Sequence, residues 1–271
     1  GLMAAKKSNT YTTTISKCGN MTADTLVSSG NSDGGLGGIV GIAHNRESGA
    51  FVIQHCFNAA PLRASSSVFA GGILGKAIMA DYYGFLIKEC GNFAPIFSDS
   101  EDSRKGGIVG LADLRVSTNM VCDIVDCYNK GRVYVGEAPP PIFSVNPQSL
   151  IHYNESSCGG IYGEATHKTE AHRCLNLGKT TGNAFIAYEN GLSTDLYNCY
   201  ALDNTGDAYY KEDFDYMSMG DISIPSNLKG FDFNNVWEMA DLPNGLHIGV
   251  NGKEYKNPKL RNCPFQNDEL W

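Results

Sequence analysis

Two cysteines and two histidines in the second half of the chain are the residues best suited to hold a metal ion. They are Cys158, His167, His172 and Cys174. Thiolate and imidazole are ligands that zinc accepts in proteins, but the spacing of these four fits no zinc-finger pattern. Cys174 also occupies a repeat position described below. We therefore predict structural roles for all four, and neither a metal site nor a cofactor in this chain.

Carboxylates are the second group whose type could do chemistry. Enzymes that cleave polysaccharides place two carboxylates on one face of the fold, as acid and base or nucleophile. The candidates are Asp99, Glu101, Asp102, Asp123 and Asp126. Their positions are equally typical of exposed corners, so we predict no catalytic residues. The acidic stretch at 211–215 lacks the Asp/Asn-Gly pattern of a calcium loop, which predicts a solvated loop.

Aromatic side chains in loops favour binding over catalysis. The longest interruption of the pattern described below, residues 135–153, carries Phe143 and Tyr153, and a shorter segment carries Tyr82 and Tyr83. Insertions in repeat proteins often gather on a binding face, where aromatic rings stack on sugars or hold a peptide. The alternative is that these rings pin their loops to the scaffold. Both interpretations remain open from the sequence.

Composition excludes several classes of protein. The chain has 271 residues, 42% of them hydrophobic, and a formal net charge of -8. Its lysines and arginines do not cluster, which argues against nucleic acid as a partner. No apolar run is long enough to cross a bilayer, and the first residues lack the apolar core of a signal peptide. We predict no membrane span, and this N-terminus does not reveal the localisation.

Two short motifs alternate along most of the chain and define the elements that must position these residues. The first is a glycine-rich pentapeptide, at 37–41, 71–75, 106–110 and 159–163, with a degenerate copy at 183–187. The second has an apolar residue, then a cysteine three positions later, then in most copies an asparagine two positions after that. Its cysteines are Cys18, Cys56, Cys90, Cys127, Cys174 and Cys199.

The spacing of the two motifs indicates a structural repeat. Cys56 follows Gly38 by 18 residues, and Cys90 follows Gly72 by 18. The segments between them are short, β-branched or aromatic and bounded by Gly, Asn and Ser, which predicts strands, and helical periodicity is absent. Such units bury apolar surface only by stacking on one another. We therefore predict an all-β fold, a parallel β-helix (β-solenoid) over residues 15–205.

The repeat positions predict particular roles for their side chains. The third pentapeptide residue, as in Ile73, should form an inward column, and the asparagines should form a turn ladder. An apolar residue and a cysteine three apart would face opposite sides of a regular strand, so we expect a bulge or corner between them. We expect no disulfides among the six repeat cysteines, whereas local pairing of Cys122 or Cys158 stays open.

The segments outside the repeats are predicted to close the array. Residues 1–14 should lead into it or cap it, and residues 206–271 should form a C-terminal cap, because an uncovered end exposes strand edges. An Asn-Gly pair at 251–252 predicts a hairpin turn within 245–255.

The alternating motifs resemble the GLUG-motif repeats of bacterial surface and secreted proteins. The resemblance is clearest at 124–133 and covers roughly 190 residues, and residues 228–237 and 257–260 are similar to the ending of such arrays. It implies a right-handed parallel β-helix, a secreted or cell-surface location in a bacterium, and an often adhesive role with no conserved catalytic residues. The last copies depart from the family pattern through shorter spacing and alanine in place of glycine.

The functional expectation is a non-enzymatic adhesion or scaffold module whose partner is a host or cell-surface protein or glycan. The alternative is a β-helix that binds or processes carbohydrate, and a third hypothesis is the stalk of a larger protein. Acidic and aromatic residues clustered in one groove would favour the carbohydrate alternative, whereas a featureless lateral surface would favour a scaffold.

Overall fold

The computed structural model describes residues 12–28, 34–45, 50–79, 84–114, 122–136, 157–166, 169–189, 194–202, 214–241 and 256–263. This part of the chain contains 28 strands, the short helix Met219–Ile222 and the 3-10 turn Pro225–Asn227. No helix within it is long and apolar enough to cross a membrane. The predicted all-β class is confirmed.

The strands follow the repeats in chain order. The first three repeats contribute β1 (Thr13–Ser16), β2 (Gly19–Asn20), β3 (Leu26–Val27), β4 (Gly35–Gly37) and β5 (Val40–Asn45), then β6 (Phe51–Gln54), β7 (Phe57–Asn58), β8 (Leu62–Ala64), β9 (Phe69–Gly71) and β10 (Leu74–Met79), then β11 (Phe85–Lys88), β12 (Gly91–Asn92), β13 (Ile96–Ser98), β14 (Lys105–Gly106) and β15 (Val109–Leu114).

The later repeats contribute fewer strands within the described residues. They contribute β16 (Cys122–Val125), β17 (Tyr128–Asn129), β18 (Val133–Val135), β19 (Cys158–Gly159) and β20 (Tyr162–Ala165), then β21 (Thr169–His172), β22 (Leu175–Asn176) and β23 (Ile186–Glu189), then β24 (Asp195–Tyr197), β25 (Cys199–Leu202) and β26 (Phe214–Met217). The antiparallel pair β27 (Trp237–Asp241) and β28 (Lys256–Leu260) follows.

In the described part of the chain, five parallel sheets each collect one strand from successive repeats. Sheet I has the order β1-β6-β11-β16-β21-β24, sheet II β2-β7-β12-β17-β22-β25-β26, sheet III β3-β8-β13-β18, sheet IV β4-β9-β14-β19 and sheet V β5-β10-β15-β20-β23. Each strand therefore pairs with its counterpart one repeat away, and equivalent side chains lie above one another.

The pentapeptides form tight bends between sheets IV and V. A Cβ added to Gly71 would lie 2.1 Å from the Leu74 carbonyl oxygen, and one added to Gly72 would lie 2.3 Å from the Gly107 carbonyl oxygen. Both contacts are with backbone, which cannot move aside as a flexible side chain does. These positions therefore require glycine, while the apolar residue that follows, such as Ile73, is fully buried in the predicted inward column.

The asparagines form a buried hydrogen-bonded ladder. The side-chain nitrogen of Asn58 donates to the side-chain oxygen of Asn92, Asn92 donates to Asn129, and Asn129 donates to Asn176, at 2.9, 2.9 and 2.8 Å. All four side chains are fully buried. Since unpaired amides in a core cost free energy, the ladder fixes the register between repeats.

The expected corner lies immediately before each cysteine, and not at the asparagine. The residue in that position has a positive φ in all six copies, for example 53° at His55 and 51° at Asp126. This left-handed residue turns the chain between sheets I and II. It allows Ile53 and Cys56, three residues apart, both to face the core.

All nine cysteines are free thiols. Cys122 and Cys158 lie in separate apolar clusters, so the local pairing left open by the sequence is not formed. The repeat cysteines stack in one column, where the Cys90 thiol lies 3.4 Å from the Cys56 amide nitrogen. Burial raises the pKa of the Cys90 and Cys122 thiols, which suits small core side chains and not nucleophiles.

The described C-terminal residues pack against the side of the array. Strand β26 extends sheet II, and the fully buried Trp237 packs edge-on against Tyr128 on the outer face of that sheet. The Trp237 indole nitrogen donates to Asp126, 3.3 Å away. The region therefore covers a lateral face as well as adding a strand, and the predicted hairpin turn lies outside the described residues.

Candidate functional site

The outer face of sheet I carries a column of acidic side chains. In its last three strands, Asp123 pairs in register with Glu170, and Glu170 pairs with Asp195. Neighbouring strands are about 4.8 Å apart, so the three carboxylates succeed one another along the sheet. We call Asp123, Glu170 and Asp195 the carboxylate column.

Strand alternation explains why these carboxylates face outward. In β16 and β21 the first and third residues are buried and the second and fourth are half-buried. Ile124, Ala171 and Leu196 therefore enter the apolar core, while the acids beside them point away from it. The same alternation puts His172 and Tyr197 in register on the outer face.

An imidazole and a phenol ring flank the carboxylate column. The His172 Nε2 atom lies 3.0 Å from the Glu170 Oε2 atom. The Tyr197 ring stacks on the His172 ring with a centroid separation of 4.7 Å and an interplanar angle of 15°. Tyr197 is 44% exposed, so a large part of its side chain is accessible to solvent.

Tyr162 supports the site from inside the fold. Its hydroxyl lies 3.0 Å from the Cys122 carbonyl oxygen and 3.2 Å from the Glu170 carbonyl oxygen, and so can donate to either. Burial raises the pKa of Tyr162 well above its usual range, so the phenol stays a neutral donor. Tyr162 thus bridges the backbones of the two strands that carry Asp123 and Glu170.

The electrostatics of this face favour a ligand with positive charge or hydrogen-bond donors. Like charges directly opposite one another on adjacent strands are destabilising. The other outward positions of β16, β21 and β24 hold Val125, His172 and Tyr197, so these positions include no lysine or arginine. A cation or a polyhydroxyl ligand would make favourable contacts with these carboxylates.

The structure separates most of the residues singled out by sequence. Cys158 and Cys174 belong to different apolar clusters, and His167 lies outside the described residues. Asp99 forms an ion pair with Arg63. The aromatic candidates Phe143, Tyr153, Tyr82 and Tyr83 all lie outside the described residues.

Asp126 also lies apart from the site, because it binds the Arg173 guanidinium, with Nε 2.7 Å from one carboxylate oxygen and Nη2 2.9 Å from the other. Of the predicted carboxylates, Asp123 alone joins the column.

Sequence reasoning missed Glu170, Asp195 and Tyr197, although the repeat contains a signal for them. The three column acids each stand four residues before a repeat cysteine, and His172 and Tyr197 each stand two residues before one. Alignment of the repeats on their cysteines would have grouped these residues.

No protein-family model matches the chain, and no curated protein matches it. Among solved structures it is similar to the crystal structure of a "putative immunoglobulin A1 protease" from Bacteroides ovatus. That match has a TM-score of 0.50 and 17% sequence identity and covers 90% of this chain and 74% of that chain. At this identity the likeness concerns the fold alone.

Proposed function

We propose that this chain is a right-handed parallel β-helix, similar to GLUG-motif repeats, that acts as a non-enzymatic glycan-binding module on or outside a bacterial cell. The five parallel sheets, each built from one strand per repeat, support the β-helix assignment. The alternating motifs support the family assignment, and the family setting supports the location and an adhesive role.

The observation that best supports glycan binding is the exposed ring of Tyr197 beside the carboxylate column. Sugar sites combine an aromatic platform, on which the apolar face of a sugar ring packs, with a few polar groups that orient its hydroxyls. Tyr197 offers the platform, and Asp195 and Glu170 offer acceptors on the same face. This is the clustered acidic and aromatic surface that favours carbohydrate over a featureless scaffold.

A glycan array probed with the purified chain tests the proposal. Tyr197→Ala removes the platform, and Tyr188→Ala is the matched control, because Tyr188 is similarly exposed at 38% but lies on sheet V. We expect binding that Tyr197→Ala abolishes and Tyr188→Ala preserves. Binding lost instead in Phe143→Ala or Tyr153→Ala would move the site to the 135–153 insertion, and no binding to any glycan would favour a scaffold.

A second candidate, glycoside hydrolysis, follows from the separation of two carboxylates. One carboxylate oxygen of Asp123 lies at most 4.8 Å from one of Glu170. Retaining glycosidases also place their two catalytic carboxylates near each other, about 5 Å apart. Incubation of array-positive glycans with the chain and with Glu170→Gln, followed by analysis of reducing ends, tests this candidate. Absence of Glu170-dependent products would leave the chain a binding module.

A further inference from the structure

We propose that Asp123, Glu170 and His172 form a binding site for a divalent transition-metal ion, with Mn²⁺ and Zn²⁺ as the favoured ions. The inference goes beyond glycan recognition, because metal uptake is measurable with no glycan present. It rests on the atoms that these three side chains bring together on the outer face of sheet I.

The separations suit a shared ion. One ligand atom from each of the three residues lies within 4.8 Å of the other two, and all three side chains are half-buried. Two ligand atoms that are each about 2.1 Å from an ion at a right angle lie about 3.0 Å apart. The Glu170 and His172 atoms already have a separation of 3.0 Å. Asp123, on the adjacent strand, offers a carboxylate oxygen within 4.8 Å of both.

The chemistry of the donor set selects the ion. One imidazole nitrogen and two carboxylates suit Mn²⁺, Zn²⁺ and related ions, whereas Ca²⁺ takes oxygen ligands alone. Stacking on Tyr197 holds the imidazole plane, as outer-shell contacts do in metal sites. Asp195, next in the column, adds negative charge beside the ion. The imidazole therefore distinguishes this group from a purely acidic patch.

Calorimetric titration of the full chain with Mn²⁺ alone, and then with Zn²⁺ alone, tests the site. A Cys18→Ser background removes the exposed thiol as a competing ligand. We expect one ion per chain at this site, with affinity reduced more than about tenfold by either Glu170→Gln or His172→Asn. Asp123→Asn, which leaves the histidine and its stacking partner in place, should also weaken binding.

Two controls distinguish binding at this site from nonspecific metal binding and from misfolding of the variants. His55→Asn alters another histidine that lies 3.1 Å from a glutamate, and it should leave metal affinity unchanged. Bound metal should raise the unfolding temperature of the parent chain and not that of Glu170→Gln, while the metal-free chains unfold at similar temperatures.

Three results would overturn the metal site. The first is no metal binding at millimolar concentration, and the second is binding that none of the three substitutions weakens. The third is preferential binding of Ca²⁺ that His172→Asn does not change. Because no glycan is present, these outcomes do not depend on the glycan array, and a negative array leaves the metal result intact.

Discussion

Two histidine–glutamate pairs on the side of this molecule have nearly the same geometry, but the charged residue beside each pair differs. His55 Nδ1 lies 3.1 Å from Glu89, and His172 Nε2 lies 3.0 Å from Glu170. At the first pair, Lys88 Nζ lies 3.0 Å from the other Glu89 oxygen. At the second pair, the third group is the Asp123 carboxylate. The first arrangement places a lysine beside the pair, whereas the second places another carboxylate there.

The two pairs also differ in their place in the fold. His55 and Glu89 occupy the left-handed corners before the repeat cysteines, and the Glu89 side chain is 7% exposed. Glu170 and His172 lie on the open face of sheet I, with side chains 19% and 27% exposed. A corner pair with its own lysine suits a structural role, while a sheet-face pair beside a further carboxylate suits the proposed metal site. We expect the third residue, more than the pair itself, to decide the role.

Interrupting the asparagine ladder, which stabilises the repeats that carry both pairs, should have the largest effect on stability. Asn129→Ala leaves the Asn92 donor and the Asn176 acceptor of the buried ladder without this partner. We expect the free energy of unfolding to fall by about 3 kcal/mol in chemical denaturation. Asn20→Ala, at the half-buried end of the column, should cost less, and equal losses would argue against a cooperative ladder.

Asp123→Lys gives the sheet-face pair the charge arrangement of the corner pair. We expect Mn²⁺ affinity to fall by more than about a hundredfold, because a ligand is lost and a positive charge replaces it. Titration of this variant beside Leu86→Lys, at the equivalent position one repeat earlier, gives the comparison. A similar loss in both variants would mean that general charge, and not coordination, governs uptake.

Removing the Tyr162 hydroxyl tests whether metal binding depends on the spacing of the two strands that carry Asp123 and Glu170. Tyr162→Phe deletes a hydroxyl that lies within hydrogen-bond distance of a carbonyl oxygen in each of the two strands that carry Asp123 and Glu170, and should cost about 1–2 kcal/mol of stability. It should also weaken metal binding severalfold. Tyr200→Phe is the control, because that hydroxyl accepts from the Lys229 amide nitrogen, away from the site. Metal affinity that responds equally to both variants would remove the positioning role.

The smallest effect on metal binding is expected when the corner pair, His55 and Glu89, is given a second carboxylate. Lys88→Asp replaces the neutralising group with a carboxylate and should introduce weak Mn²⁺ uptake near His55 and Glu89. The ion pair lost is partly exposed, with Lys88 at 40%, so its removal should cost less than about 1 kcal/mol. Calorimetric titration in a Glu170→Gln background detects the new site alone. No uptake would show that the corner geometry, and not only charge, excludes metal.

Much of the fold follows from the repeat positions, and little of the site does. The inward isoleucine column, the asparagine ladder and a corner before the cysteine follow from residues that must be buried, paired or turned in every repeat. The acids and rings of the outer face obey no such requirement. Thr14, Val52 and Leu86 occupy the positions equivalent to Asp123, Glu170 and Asp195, so the site belongs to the last repeats alone.

The sequence by itself determined the architecture, because glycine, cysteine and asparagine recur wherever backbones approach closely or side chains stack. The tertiary structure alone decided which outward residues meet. Glu170 stands 47 residues after Asp123 and 25 before Asp195, and only the parallel register brings the three into one column. The tertiary structure also placed Trp237 on the side of the array. Burial constrains every repeat alike, whereas a surface site depends on register across insertions of unequal length.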